Sequence, residues 1–269
     1  MTFLERLLDA QQTTNSLLCV GLDPDVERFP DPLKALSEDD AVREFCTSIV
    51  EATSPYASAF KPNLAFFEAL GVDGWHVLSD VIAEIPKDRI VVLDAKRGDI
   101  GNTATKYAEA IYSRLGGHAV TVAPYMGADS IVPFLNDETR CAFVLVATSN
   151  PSGEALQRMT FEDKPLYQHI AQMAAEAGNG RQGTVGFVVG ATRPEILSEL
   201  RRAYPDTPFL VPGIGAQGGD IHQVLEANAG GPVLINSSRS LLYASSGDNF
   251  AEAAASQAKR LAGILPHAG

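Results

Sequence analysis

Eight short runs rich in Val, Ile, Leu and Phe recur along the chain, at residues 17–22, 57–60, 90–93, 119–123, 141–147, 185–189, 209–211 and 233–235. Stretches with apolar residues at helical spacing lie between them, among them AVREFCTSIVEAT, DGWHVLSDVIAEI, PLYQHIAQMAAEAG, RPEILSELRRAY and GDIHQVLEANAG, and NFAEAAASQAKRLAGIL follows the last run. Gly, Pro or Asn stands at their ends, where helices stop. Near-continuous apolar strands alternating with helices predict a parallel sheet covered on both faces. Eight βα repeats are the number that closes a barrel, so the expected fold is α/β, one (β/α)8 TIM barrel forming a single domain over residues 1–269. A chain of 269 residues with 45% hydrophobic content can bury such a core, and no linker, low-complexity tract or charge block divides it.

Polar residues gather where the expected strands end: GLDPD, KPN, DAKRGD, TSN, PGIGAQGGD and NSSRS. In a barrel these ends share the C-terminal face, where active sites are built. The richest of them lies in VVLDAKRGDIGNTA, residues 91–104, where an apolar strand ends in two carboxylates that bracket a lysine. Alternate residues of a strand share a face, so Asp94 and Lys96 are expected to point together. The chain is expected to turn at Gly98, with Asp99 next and Asn102 or Thr103 capping a helix that runs on through KYAEAIYSRLG. Three charges so close together are costly to desolvate unless they pair or do chemistry, and spacing alone leaves a surface ion-pair cluster equally open.

The loops after the last two strands suit an anion. Gly213, Gly215, Gly218 and Gly219 let backbone approach a phosphate, Gln217 offers neutral hydrogen bonds, and Arg239 a forked cation. A net charge of -12 argues against nucleic acid or an acidic membrane as partner, because such binding neutralises phosphates with clustered Lys and Arg. A small anionic substrate can still be held by one or two local cations. Cys19, Cys46 and Cys141 are far apart among apolar neighbours and read as buried thiols, and His76, His118, His169, His222 and His267 show no metal-ligand spacing. No apolar run approaches the ~20 residues that cross a bilayer, and the opening MTFLERLLDAQQTTNS carries charges within its apolar stretch, unlike a signal peptide. A cytoplasmic protein is expected. The polar stretch PSGEALQRMTFEDK, within the long connection at residues 149–184, reads either as a surface excursion or as part of a lid.

Taken together and in order, GLDPD, FKPN, VVLDAKRGDIGNTA, TSNPSG, VPGIGAQGGD and NSSRS resemble the orotidine 5'-phosphate decarboxylase family, in its longer bacterial branch, type 2. The resemblance spans nearly the whole chain. It implies cofactor-free, metal-free decarboxylation of orotidine 5'-phosphate to UMP in pyrimidine synthesis, by a homodimer. It implies that Lys96 protonates C6, that Asp94 lies near the departing carboxylate, and that Asp99 and Thr103 reach into the partner's site. By the same resemblance Lys61 and Asp23 hold the ribose hydroxyls, Ser149, with Thr148 beside it, contacts the pyrimidine, and Gln217 and Arg239 grip the phosphate. Two other readings stand beside it. One is a metal-dependent barrel that decarboxylates or condenses a sugar phosphate and shares the Asp-x-Lys-x-x-Asp strand end; the other is a barrel that binds a phosphate ligand without catalysis.

Overall fold

The computed structural model describes residues 1–214 and 219–267. Its strands are β1 (Leu18–Leu22), β2 (Ala59–Pro62), β3 (Ile90–Arg97), β4 (Ala119–Val122), β5 (Cys141–Ala147), β6 (Thr160–Phe161), β7 (Lys164–Pro165), β8 (Thr184–Val189), β9 (Phe209–Pro212) and β10 (Val233–Ser237). Eight of them form a closed parallel barrel with neighbours in the order β1-β10-β9-β8-β5-β4-β3-β2, and helices connect them. This is the (β/α)8 fold expected. All residues of β1, β2, β4 and β10 are buried, which explains why these strands read as unbroken apolar runs rather than as alternation.

By internal contacts the chain divides into two units, one made of Leu7–Ala95 and the stretch from Asn236 onward, the other of Met1–Arg6 and Lys96–Ile235. In the first, the β1 and β2 register pairs Gly21 with Lys61 and Leu22 with Pro62, while Phe60 pairs with Val91 of β3. The helix Glu38–Thr53 starts on Ser37, whose hydroxyl accepts the Asp40 N–H, and three acidic residues in its first turn suit the helix dipole. It buries Val42, Phe45, Cys46, Ile49 and Val50, a stripe at helical spacing.

In the second unit β4, β5, β8 and β9 pair in register, for example Val122 with Val144 and Phe187 with Phe209. Gly186 is obligatory: a Cβ there would lie 2.5 Å from the Phe143 ring. The polar stretch after β5 is a short helix, Gly153–Gln157, followed by the exposed hairpin of β6 and β7. Asp220 caps the helix Ile221–Asn228, its carboxylate accepting the His222 N–H at 2.8 Å. Among the described residues no helix is long and apolar enough to cross a membrane.

Candidate active site

In the first unit the expected site residues come from strand ends. Lys61 sits in β2, and its Nζ lies 2.7 Å from Asp94 Oδ2 of β3. The register makes the meeting possible: Gly21 of β1 is opposite Lys61, and Asn63 bridges Asp94. Lys61 is only 4% exposed. Burial alone would lower its pKa, but the charges of Asp94 and Asp23 outweigh it and hold the ammonium firmly protonated. The same burial pushes the Cys19 thiol up to about 12, with Lys61 opposing. Cys19 is therefore an inert thiol.

Asp23 follows β1 directly, and its Oδ1 is buried with no hydrogen-bond partner among the described residues. Asn236 at the end of β10 is in the same condition: 5% exposed, its Nδ2 donates to Ser238 Oγ at 3.2 Å and its Oδ1 has no partner among those residues. Gly21 lets Asn236 and Ser238 come this close, since a Cβ there would lie 1.9 Å from Ser238 Oγ. A cavity of about 260 Å³ is lined by Asp23, Arg28, Asn63, Phe66, Arg239 and Tyr243. The structure thus brings together Lys61 with Asp94, and Asp23 with Arg239. Sequence reasoning passed over Asn63, Asn236 and Tyr243. The signal for the two asparagines was available, since each stands in a strand-end motif beside a residue that was chosen, FKPN and NSSRS.

In the second unit Lys96 departs from the expected alternation. Its φ is 46°, in the left-handed region that costs a non-glycine residue about 1–3 kcal/mol. Lys96 lies within β3, but its positive φ breaks the regular alternation there, and the rule that would orient it with Asp94 does not apply. Its N–H donates to Thr121 Oγ1 at 3.0 Å, which holds this conformation, and the residue is exposed. The turn after it is tight: Ala123 N–H donates to Arg97 O at 2.8 Å, and a Cβ on Gly98 would come 2.7 Å from Ala123 O.

Neither Asn102 nor Thr103 caps the helix, which runs Gly101–Ala108 and starts after Ile100. Gly101, at φ 52°, makes the entry, and Asp99 Oδ1 takes the Ile100 N–H at 2.8 Å. Asn102 and Thr103 then lie inside the first turn and are exposed. After β5, Thr148 is occupied locally: its hydroxyl pairs with Asn150 and accepts from Gln157 at 2.8 Å. Ser149 is half-buried beneath Gly190, where a Cβ would come 2.7 Å from the Ser149 nitrogen. Gln217 lies outside the described residues. Among the described residues no group of three or more His, Cys, Asp or Glu is placed to hold a metal ion.

A family profile described as the Orotidine 5'-phosphate decarboxylase / HUMPS family matches residues 16–255. The chain is 47% identical over 253 residues to an orotidine 5'-phosphate decarboxylase of Herpetosiphon aurantiacus, covering 94% of this chain and 93% of that one. A Bordetella petrii protein of the same name is 48% identical over 267 residues, covering 97% of each. Among solved structures, Leishmania donovani OMP decarboxylase superposes with a TM-score of 0.84 at 40% identity, covering 98% of this chain and 99% of that one.

Proposed function

The chain belongs to the orotidine 5'-phosphate decarboxylase / HUMPS family and converts orotidine 5'-phosphate to UMP in pyrimidine synthesis, and from that premise we propose how its own residues carry the reaction. Loss of carbon dioxide leaves an electron pair at C6 with no conventional sink. A fixed ammonium is the apt partner, and Lys96 stabilises the developing carbanion and then gives C6 its proton, returning to the ammonium by taking one from water. Asp94 lies beside the departing carboxylate and disfavours it until neutral carbon dioxide forms. Lys61 and Asp23 hold the ribose hydroxyls, Ser149 contacts the pyrimidine, and Gln217 and Arg239 grip the phosphate. Neither cofactor nor metal takes part.

The observation that carries this reading is the Lys61–Asp94 pair, in which a nearly buried Lys61 stays charged, beside an Asp23 oxygen with no partner among the described residues. One cation about 4 Å from a unit charge is worth on the order of 4 kcal/mol at an effective dielectric of ~20, roughly three decades of rate. Several charges must therefore act together. Lys96 is exposed, so its role requires cover supplied by the bound nucleotide and by a second copy of the chain.

The second copy completes a homodimer to which Asp99 and Thr103 contribute across the interface. Exposed apolar side chains support it: Ile100 is 54% exposed, Tyr125 94% and Met126 46%, on two loops tied together by the Ala123–Arg97 hydrogen bond. Three buried free thiols fit a reducing cytoplasm.

Following the absorbance of orotidine 5'-phosphate in EDTA tests the chemistry. Turnover is expected to survive the chelator, and Lys96→Ala to keep less than about a hundredth of kcat while still binding UMP. Loss in EDTA would favour the metal-dependent reading, and a larger residual kcat would remove Lys96 from its role. Mixing inactive Lys96→Ala with inactive Asp99→Ala is expected to restore activity through one intact site per mixed dimer; no rescue, with subunit exchange confirmed, would place Asp99 in its own chain's site.

A further inference from the structure

Tyr243 is drawn into the first unit's cavity by contacts that its sequence position does not suggest. Its hydroxyl accepts the Asp25 N–H at 2.6 Å and donates to the Asp23 carbonyl at 2.8 Å. Between those two groups stands Pro24, which has no N–H of its own, so a single side chain satisfies both the amide and the carbonyl that flank the proline. The ring is not free to move. Phe45 stacks on it with centroids 5.8 Å apart, Phe45 in turn stacks on Phe29 and Phe250, and the Arg28 guanidinium lies 3.9 Å from the ring centre. Burial keeps the phenol protonated and able to donate.

At its other end Tyr243 closes the helix Arg239–Leu242, with its own N–H donating to the Arg239 carbonyl at 3.2 Å. The residue that carries the cation toward the cavity and the residue that pins the Asp23–Pro24–Asp25 turn are thus one helical turn apart on a single rigid piece. Asp23 has a buried oxygen without a partner among the described residues, so the backbone of this turn sets where its carboxylate lies.

We propose that Tyr243 is a positioning residue for the decarboxylation, its hydroxyl fixing the Asp23 turn and tying the placement of Asp23 to that of Arg239. The inference rests on the reading above that Asp23 binds substrate. It goes beyond that reading, because Tyr243 need touch no part of the nucleotide. Deleting the hydroxyl takes the shared partner from a part-buried amide and a part-buried carbonyl, which water can then reach, and lets the turn relax, whereas deleting ring packing weakens the fold without releasing the turn.

The test compares the purified full-length variants Tyr243→Phe, Asp23→Ala, the double variant, and Phe45→Leu, reading kcat/KM for orotidine 5'-phosphate and the thermal midpoint of each. Tyr243→Phe keeps the ring and is expected to lose about tenfold or more in kcat/KM with little change in midpoint. Phe45→Leu is expected to do the reverse, with a lowered midpoint and kcat/KM within about twofold. The double variant is expected to be no worse than Asp23→Ala alone, since the hydroxyl acts only through Asp23. Multiplicative losses in the double variant, a Tyr243→Phe enzyme with wild-type kcat/KM, or a Phe45→Leu loss as large as that of Tyr243→Phe would each overturn the positioning role while leaving the reading of Asp23 intact. A fully active Asp23→Ala enzyme would remove Asp23 from the site and this role with it. Far-UV circular dichroism, with the thermal midpoint, checks that each variant compared is folded.

Discussion

Replacing Lys61 with methionine separates what the buried pair does for the fold from what it does for the reaction. Methionine keeps the length and the apolar stem but leaves Asp94, whose side chain is 12% exposed, without the ammonium 2.7 Å away. At that distance the attraction is about 6 kcal/mol at an effective dielectric of 20. Much of it offsets the cost of desolvating Lys61 and Asp94, and breaking such a pair from one side typically costs about 3–5 kcal/mol. With an unfolding entropy of roughly 2.1 cal/mol/K per residue over 269 residues, that loss lowers the thermal midpoint by about 5–9 °C. The pH dependence follows from the sign of the change. In Lys61→Met the Asp94 carboxyl loses a cation that favours its charged form, so its folded pKa is higher than in the wild type while the unfolded value is unchanged. The deficit relative to wild type is therefore full above the raised pKa and fades as pH falls through it. Adding Asp94→Asn removes the charge that Lys61 faced and is expected to recover most of the loss at neutral pH, because neutral replacement of a buried pair is often harmless. Urea titrations of the four proteins at several pH values supply the cycle. Additive losses, or a Lys61→Met deficit under about 1 kcal/mol, would refute the coupling. The rescued double variant is expected to stay inactive.

Two further outcomes concern the other unit. Burial, with the charges of Arg6 and Arg140 beside it, lowers the His118 pKa to about 4. Since the unfolded value is near 6.5, the stability tied to neutral His118 is complete above that pH and is lost as pH falls toward 4; His118→Gln is expected to flatten that part of the urea-midpoint profile, and an unchanged slope would count against it. Arg201→Met, which strips the donors from Asn228 and four backbone carbonyls, is expected to lose at least about 3 kcal/mol, with Arg201→Lys recovering little because an ammonium has too few donors; a midpoint drop under about 3 °C would show that those acceptors find other partners.

The barrel strands are legible in the sequence because both faces of each are covered, so a strand such as 141–147 appears whole as an apolar run and is found with those bounds. Backbone conformation is less visible. Lys96 stands in a string that reads as regular strand, and its left-handed φ of 46° depends on Thr121, a residue 25 positions away. The hairpin of β6 and β7 escapes for a related reason: its turn residues Glu162 and Asp163, at φ 49° and 61°, are not the Gly or Asn that mark such turns. The entry to the helix at Gly101 needs a positive φ that glycine supplies, so the capping residues expected at 102 and 103 fall inside the helix instead.

The site divides along the same line, between what is local in sequence and what the register creates. Lys61 and Arg201 are both buried cations, at 4% exposure each, and nothing in FKPN or RPEILSELRRAY says which one serves a reaction. Their surroundings do. Arg201 spends its donors on Asn228 and on the carbonyls of Tyr204, Pro205, Thr207 and Pro232, all neutral and all belonging to turns that it closes. Such a group is complete without a ligand, and burial lowers its pKa to about 10, with the charge of Asp206 only partly opposing. Lys61 is met by Asp94 at 2.7 Å and by the field of Asp23, in a unit where Asp23 and Asn236 each keep a buried oxygen without a partner among the described residues. A fold selected for stability alone would fill those acceptors or replace them with apolar groups, since each unsatisfied one costs about 1–3 kcal/mol. Retained together beside an ionised pair, they are the hydrogen-bonding capacity that a hydroxyl-bearing substrate would take up, and this distinguishes the Lys61 cluster from the Arg201 clamp.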